Sequence, residues 1–328
     1  MLEQDIAVVT PVFNDWPSLA EMARRLSALE CLRGRRVVLV AVDDGSTRVE
    51  APRDNVGEGC LQDLRIVRLN SNLGHQRAIA LGLAYVHAHL KPGVVIVMDS
   101  DGEDSPEVIA ELLSAHAANP GSLIVAQRVK RSESLAFRSF YALYKMIFRF
   151  LTGRPISFGN FSMIPADRLP NVLFNSGIWN NFAATLLKCR LDLVFVPTER
   201  GKRYAGESKM NFTSLLIHGF SAISVFTDVV IGRILLLLVM LSVVTFIAIG
   251  TVIFFKFFTD VFVPGYATNV ILFLVSLLSL SLFTGFLLVL SLLAARERPA
   301  ALPTRLLDDH LREVVSLAAP ARVGRVAL

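Results

Sequence analysis

Two stretches near the end of the chain, residues 234–255 and residues 261–295, carry no charged side chain at all. Each exceeds the roughly 20 residues an α-helix needs to cross the hydrocarbon of a bilayer, and a buried core helix seldom needs such a length. The expectation is two C-terminal transmembrane helices, at about 234–255 and 270–294. They account for a composition that is 53% hydrophobic and a mean hydropathy of +0.53, too apolar for an ordinary soluble enzyme. Arg233 lies just before the first span, and Arg296 and Arg298 just after the second, whereas the connection offers only Lys256 against Asp260. The positive-inside rule then places both outer flanks, with the N-terminal two thirds, in the cytoplasm. Met1 to Asp5 runs directly into a strand-like segment, so no apolar leader is expected. Three cysteines, Cys31, Cys60 and Cys189, have no metal-ligand spacing and suit a reducing compartment. The net charge of +5 fits anionic lipid heads or phosphates and is too small to argue for nucleic acid.

The N-terminal part is organised around Val94-Val95-Ile96-Val97-Met98-Asp99-Ser100-Asp101, an apolar run that ends in two carboxylates one residue apart. It reads as a buried parallel strand that delivers acids to its carboxyl end, where open α/β sheets bind their ligands. Carboxylate and phosphate oxygens together are what Mg²⁺ or Mn²⁺ prefers, so this DxD motif points to a metal–diphosphate site. The bland reading is acids that cap a strand or start a helix.

Other strand and helix signals alternate around it. Ile6 to Asp15 reads as a strand closed by Pro11, followed by Ser18 as a helix-cap candidate and an amphipathic helix to about Leu32. Val37 to Val42 is a second strand, ending in Asp43-Asp44-Gly45-Ser46-Thr47, where an acid can accept hydrogen bonds from a base or ribose or simply face solvent. Leu64 to Leu69 is a third. Asn70-Ser71-Asn72-Leu73-Gly74-His75-Gln76 then opens an Ala-rich helix, where His75 suits a ligand, a base or a local hydrogen bond. After the central strand come a helix from Pro106 to Ala118, a fifth strand over 123–126 and the basic exit Gln127-Arg128-Val129-Lys130-Arg131. The pattern predicts an α/β fold with a parallel sheet.

Val8-Val9-Thr10-Pro11-Val12-Phe13-Asn14-Asp15, Val42-Asp43-Asp44-Gly45-Ser46, Asn72-Leu73-Gly74-His75 and Met98-Asp99-Ser100-Asp101 with Pro106-Glu107 resemble the ordered motifs of the family 2 glycosyltransferases. Beyond them, Arg128, Tyr144 and Arg149, Thr152-Gly153, Gly159-Asn160-Phe161, Arg203-Tyr204-Ala205-Gly206-Glu207-Ser208-Lys209, the two spans and Arg298-Pro299 resemble the membrane-bound polyprenyl-phosphate branch. That branch includes dolichol-phosphate mannose synthases and undecaprenyl-phosphate sugar transferases. The resemblance implies a GT-A (Rossmann-like) nucleotide-sugar transferase domain over residues 1–210 in the cytoplasm. A basic interfacial helix would lie at 134–151 and a juxtamembrane amphipathic helix at 211–232. The two spans would lie within 233–296; the cytoplasmic tail at 297–328, which lies outside the resemblance after Pro299, is expected to carry a short helix over 304–318.

In that reading Pro11, Asn14, Asp15, Asp43, Asp44, Ser46, Asn72, Gly74 and His75 hold the nucleotide, Asp15 standing where a glutamate is usual. Asp99 and Asp101 bracket Mg²⁺ or Mn²⁺, with Glu103 near the metal where relatives carry a glutamine. Arg128, Arg203, Ser208 and Lys209 face donor or acceptor phosphates. Asn160 replaces an aspartate that relatives carry as an acceptor-site acid or base. An amide takes no proton, but a phosphomonoester acceptor is already ionised near neutral pH and needs no strong base.

The implied reaction is inverting, in-line transfer of a sugar from a nucleotide-sugar, UDP before GDP, to undecaprenyl phosphate at a bacterial inner membrane. Two alternatives stay open: a family 2 enzyme acting on a hydroxyl acceptor such as ceramide or a polysaccharide, and a catalytically silent membrane-anchored binding subunit. Against the polysaccharide, neither Trp16 nor Trp179 stands in a Gln-x-x-Arg-Trp context. Ser276, Ser279, Ser281 and Gly285 permit helix–helix contact and hence a homo-oligomer.

Overall fold

All seven residues of Ile6–Val12 are buried, and this segment forms β1, the strand on which the sheet is built. An apolar, β-branched run buried on both faces is what a parallel strand inside an α/β sheet requires. Its neighbours on either side are β2 (Val37–Asp43) and β4 (Val94–Val97), both parallel to it, and β3 (Leu61–Leu69) continues the parallel run beyond β2. The structure is a computed structural model and describes residues 5–48, 59–128, 135–204, 212–259, 265–297 and 300–317. Of the residues marked from sequence, 129–131, 205–209 (with Ser208 and Lys209) and Arg298-Pro299 lie outside the described residues.

The sheet is mixed rather than parallel throughout. Its order is β7-β5-β6-β4-β1-β2-β3-β8, with β5 at Leu123–Arg128, β6 at Ser162–Pro165, β7 at Leu193–Thr198 and β8 at Leu311–Ser316. β6 runs antiparallel between β4 and β5, and β8 runs antiparallel along β3. These three extra strands evade pattern reading for physical reasons. β6 has four residues, β7 contains Pro197 and is tolerated because it is an edge, and β8 carries Arg312 and Glu313 on an exposed edge.

Helices α1 (Trp16–Ala28), α2 (His75–His89) and α3 (Ile109–Ala118) connect the strands. Leu19, Met22 and Leu26 of α1, with Ile109 and Leu112 of α3, close one core cluster over Val8, Leu39 and Ile96, while α2 packs on β1 and β2. Each such side chain contributes about 1.5–3 kcal/mol relative to exposure. Ser18 does not cap α1. The helix begins two residues earlier with Pro17 in its first turn, where a proline costs nothing, and Ser18 is buried inside it.

Further along lie α4 (Leu135–Thr152), α5 (Leu169–Leu173), α6 (Phe182–Lys188) and α7 (Phe212–Ser224). Leu143, Met146 and Phe150 of α4 and Ile217 and Phe220 of α7 expose their apolar side chains, but Phe148 is fully buried. Thus α4 does not present all of its aromatic residues to its surroundings.

The chain divides into two units. One comprises the sheet and its helices, residues up to 149, 154–225 and from 301 onward; the other comprises 150–153 and 226–300. The second unit is a pair of 32-residue helices, α8 (Thr227–Phe258) and α9 (Tyr266–Glu297), with mean hydropathies of 2.7 and 2.5 over their most apolar windows. At 1.5 Å per residue each is about 48 Å long, enough to span a membrane. Within the pair, the Ser242 and Ser281 hydroxyls meet at 2.8 Å, and Thr245 and Ser281 are buried. Outward, Leu236, Phe246, Phe273 and Phe283 are each more than half exposed, as a bilayer-facing surface would be. Residues 227–232, expected in a juxtamembrane helix, belong instead to α8.

The C-terminal segment corrects the expectation of an appended tail with a helix over 304–318. Pro303–His310 is a helix, α10, packed on α2, and the chain then turns into β8. After the two long helices the chain therefore returns to complete the sheet of the first unit.

Candidate active site

The carboxyl ends of β1, β2 and β4 lie along one edge because all three strands are parallel, with Val12 paired to Asp43 and Val9 to Val97. Asp43 is 1% exposed; its Oδ1 accepts from the Ser46 amide at 2.9 Å and its Oδ2 from Arg68 Nε at 3.3 Å. Asn14 joins the loop after β1 to the loop after β2. Its amide donates to Ser46 Oγ at 2.9 Å, and its Oδ1 accepts from the Thr47 amide and hydroxyl at 3.0 and 3.1 Å. Pro11 is buried below, its carbonyl 3.5 Å from Ser100 Oγ. Asp15 stands at the N-cap of α1 without a side-chain bond to it.

Asp44, the next residue, is buried and bonded to the loop before α2. Its two oxygens accept from the Leu73 and Gly74 amides at 2.7 and 2.9 Å, so it fixes the loop that opens α2. Burial raises its pKa against the pull of those two amides. Gly74, at φ +93°, has a backbone that L side chains rarely adopt, and it places His75 as the first residue of α2. Asn72 lies exposed in the same turn, beside the backbone of Gly45.

The antiparallel insertion of β6 decides the next contact. Val97 pairs with Ser162 at the end of the ladder, and two residues beyond it on either side stand Asp99 and Asn160. Between them stands His75, its Nε2 2.9 Å from Asn160 Nδ2 and 3.3 Å from Asp99 Oδ1. Burial lowers the His75 pKa, and the carboxylates of Asp99, Asp101 and Asp104 outweigh it, so the net shift is upward. Gln76 locks the group by donating to Asn160 Oδ1 at 3.3 Å and accepting from the Phe182 amide at 2.7 Å.

Asp101 Oδ1 accepts from the Glu103 amide at 2.9 Å, and its Oδ2 lies 2.8 Å from Arg203 Nη2. Glu103, expected beside the metal, is held by three guanidinium groups: Arg128 at 3.3 Å, Arg203 at 2.8 Å and Arg200. Burial raises its pKa, and the bonds from Arg200 and Arg203 more than reverse that. Asp104, 5% exposed, accepts from the Asp99 amide at 3.1 Å and Arg128 Nη2 at 3.0 Å; burial and the neighbouring Asp99 push its pKa up to about 7. The loop after β7 reaches this point through a close approach at Gly102, where a Cβ would lie 2.7 Å from the Lys202 carbonyl and 2.8 Å from the Tyr204 ring.

Among the described residues no three His, Cys, Asp or Glu side chains converge as a ready-made metal cage. The donor set nonetheless fits a hard cation that keeps phosphate oxygens and waters among its ligands, since Mg²⁺ sites commonly use one or two carboxylates. Asp99 Oδ1, buried and without a hydrogen bond of good geometry, and Asp101 supply that pair. Arg68, Gln76, Asp104 and Arg200 were not singled out from sequence. Asp104 stood three residues after Asp101, a spacing that was readable, but the other three are marked only by their tertiary partners.

The ends of the parallel strands thus gather the Asp99-Ser100-Asp101 acids, a second pair of acids at the end of β2 and a cluster of arginines at one edge of an α/β sheet. Residues 7–177, just over half of the chain, match the family model Glycosyl transferase family 2, so this protein is a family 2 glycosyltransferase with a GT-A fold, and it carries two helices long and apolar enough to cross a membrane. It is 25% identical to the uncharacterized glycosyltransferase YkcC of Bacillus subtilis (strain 168), over 87% of this chain and 85% of that one. It is 27% identical to the undecaprenyl-phosphate 4-deoxy-4-formamido-L-arabinose transferase of Klebsiella pneumoniae, over 64% of each chain, a little under two thirds of that relative's length. Among solved structures it is similar to glucosyl-3-phosphoglycerate synthase from Mycobacterium tuberculosis in complex with Mn²⁺, UDP-glucose and phosphoglyceric acid. That likeness has 17% identity and a TM-score of 0.47, over 69% of this chain and 80% of that one.

Proposed function

We propose that the protein moves a sugar from a nucleotide-sugar, UDP in the first instance, to the phosphate of a polyprenyl lipid. The observation that carries this is the amide across His75 from Asp99: the chain at the end of β6 brings Asn160, not a carboxylate, to the acid pair, with arginines close by. A hydroxyl acceptor would call for a general base there, whereas a phosphomonoester arrives ionised. The similarity to undecaprenyl-phosphate transferases and the two apolar helices support the same acceptor. Arg233 and Arg296 at the flanks of the helix pair support a catalytic unit on the cytoplasmic side of a bacterial inner membrane.

In this reading the ends of β1 and β2 receive the nucleotide, with Asp43, Asn14 and Ser46 forming the cradle. Asp99 and Asp101 would hold Mg²⁺ or Mn²⁺, which when bound offsets the charge of the donor diphosphate. Arg128, Arg200 and Arg203 stand ready to hold phosphate oxygens and to stabilise charge on the departing nucleoside diphosphate. His75 and Asn160 orient the acceptor phosphate, one of whose oxygens forms a bond to the anomeric carbon. The bond from that carbon to the donor diphosphate oxygen breaks, with inversion. Catalysis rests on positioning and electrostatics more than on proton transfer.

The test uses purified protein in nanodiscs with Mg²⁺ or Mn²⁺ and a panel of radiolabelled UDP- and GDP-sugars, offering undecaprenyl phosphate and a hydroxyl lipid in parallel. Metal-dependent label in the polyprenyl fraction is expected, and it names the sugar. Label confined to the hydroxyl lipid overturns the acceptor assignment, and binding of nucleotide without turnover on either acceptor overturns the activity.

A further inference from the structure

The family match ends at residue 177, and β8 lies more than a hundred residues beyond it, on the far side of the two long helices in the chain. β8 nevertheless reaches the cradle of the proposed donor site. In its antiparallel register with β3, Glu313 stands directly opposite Arg68, and the two side chains form an ion pair through Arg68 Nη1 and Glu313 Oε1. The Nε of the same guanidinium donates to Asp43 Oδ2 at 3.3 Å. One planar fork is thus shared between a buried carboxylate at the end of β2 and an exposed one on the C-terminal strand; their side chains are 1% and 46% exposed.

The strand is well anchored for this task. The Asn70 amide donates to the His310 carbonyl at 2.9 Å, and its side chain donates to the Asp309 carbonyl at 3.2 Å. Ser316 Oγ donates to Asp63 Oδ1 at 2.8 Å, and Trp179 Nε1 to the Ala301 carbonyl at 2.7 Å.

We infer that Arg68 and Glu313 are positioning residues for the nucleotide donor: the C-terminal strand holds the Arg68 guanidinium in the plane that orients Asp43. Glu313 touches no ligand; it acts by fixing one end of a fork whose other end fixes Asp43. Without Glu313 the long Arg68 side chain regains some of its rotamers and its Nε is held less firmly on Asp43 Oδ2, beside the Ser46 amide. A lysine at position 68 would satisfy one carboxylate but not both, because its ammonium lacks the planar spacing.

The inference rests on the reading of Asp43 as a donor contact, and the experiment separates the two. UDP binding in the presence of Mn²⁺ is measured by calorimetry on the full-length protein in detergent, for the parent and for Glu313→Gln, Arg68→Lys and Asp43→Asn. Donor and acceptor KM and kcat are measured alongside with the sugar nucleotide that the panel identifies. For a cross-strand charge pair, Glu313→Gln should weaken UDP binding and raise donor KM about two- to fivefold. Acceptor KM, kcat and the melting temperature should shift little, Glu313 being exposed. Arg68→Lys should resemble Glu313→Gln, and Asp43→Asn should weaken UDP further. If Asp43→Asn weakens UDP binding and Glu313→Gln does not, the positioning role is overturned while the donor site stands. If Asp43→Asn also leaves UDP binding unchanged, the assignment of Asp43 fails and takes the inference with it. A fall in kcat and melting temperature with donor KM unchanged would assign Glu313 a structural role only.

Discussion

Asp101 and Asp44 are both acids at strand ends, yet their surroundings give them opposite tasks. Asp101 is paired with Arg203 and the Glu103 amide at the edge where a diphosphate is proposed to sit. Asp101→Asn keeps the shape and one acceptor while removing the charge, so it should lower turnover by at least about 100-fold, the scale of losing one preorganised electrostatic contact. Its melting curve should stay near that of the parent; near-normal turnover by a folded, metal-supplied variant would sink the metal assignment. Asp44 spends both oxygens on the Leu73 and Gly74 amides. Asp44→Ala orphans two donors that are partly buried and should cost about 1–3 kcal/mol in stability, read as a lower melting temperature in detergent. The two variants separate a group reserved for chemistry from one that holds a loop.

At the scale of elements, the loop after β4 and the loop after β7 meet through Gly102. Its φ of +91° and the 2.7 Å that would separate a Cβ from the Lys202 carbonyl leave no room for a side chain. Gly102→Ala should cost about 1–2 kcal/mol for the backbone alone. It should also push residues 202–204 away from Asp101, breaking the Arg203 contact. The measurement is donor KM together with the melting temperature, and a variant with both unchanged would show that the two loops can separate without consequence. β6 has a comparable influence. Four residues long, it reverses the sheet direction locally, and its last pair, Val97 with Ser162, leads the chain to Asn160, which meets Asp99 through His75.

For the whole molecule, the described chain from 301 onward belongs to the catalytic unit, although 75 residues of the helix-pair unit, 226–300, separate it from the rest of that unit in sequence. Removing residues 300–328 strips the β3 edge of its partner strand and exposes the face of α2 that α10 covers, along with the buried contacts of Leu302 and Leu307. The melting temperature of such a truncated protein in detergent should fall by about 5 °C or more. A truncated protein that melts like the parent would show β8 to be dispensable for the fold.

What local chemistry could announce was legible in the chain. Uncharged length marked the two long helices, apolar runs ending in acids marked β1, β2 and β4, and Asp99, Asp101, Asp43 and Asn14 stand at strand ends because parallel strands align their carboxyl ends. The strands with weak patterns were decided only by the tertiary structure. β6 is too short, β7 carries a proline that only an edge tolerates, and β8 is charged because nearly all of it is exposed at the sheet edge. With them came the contacts that join distant parts of the sequence: Asn160 on His75, three arginines on Glu103, and Arg68 between Asp43 and Glu313. Strand propensity and hydrophobic period are properties of neighbours along the chain, whereas register and the choice of a charge partner depend on which segments fold side by side.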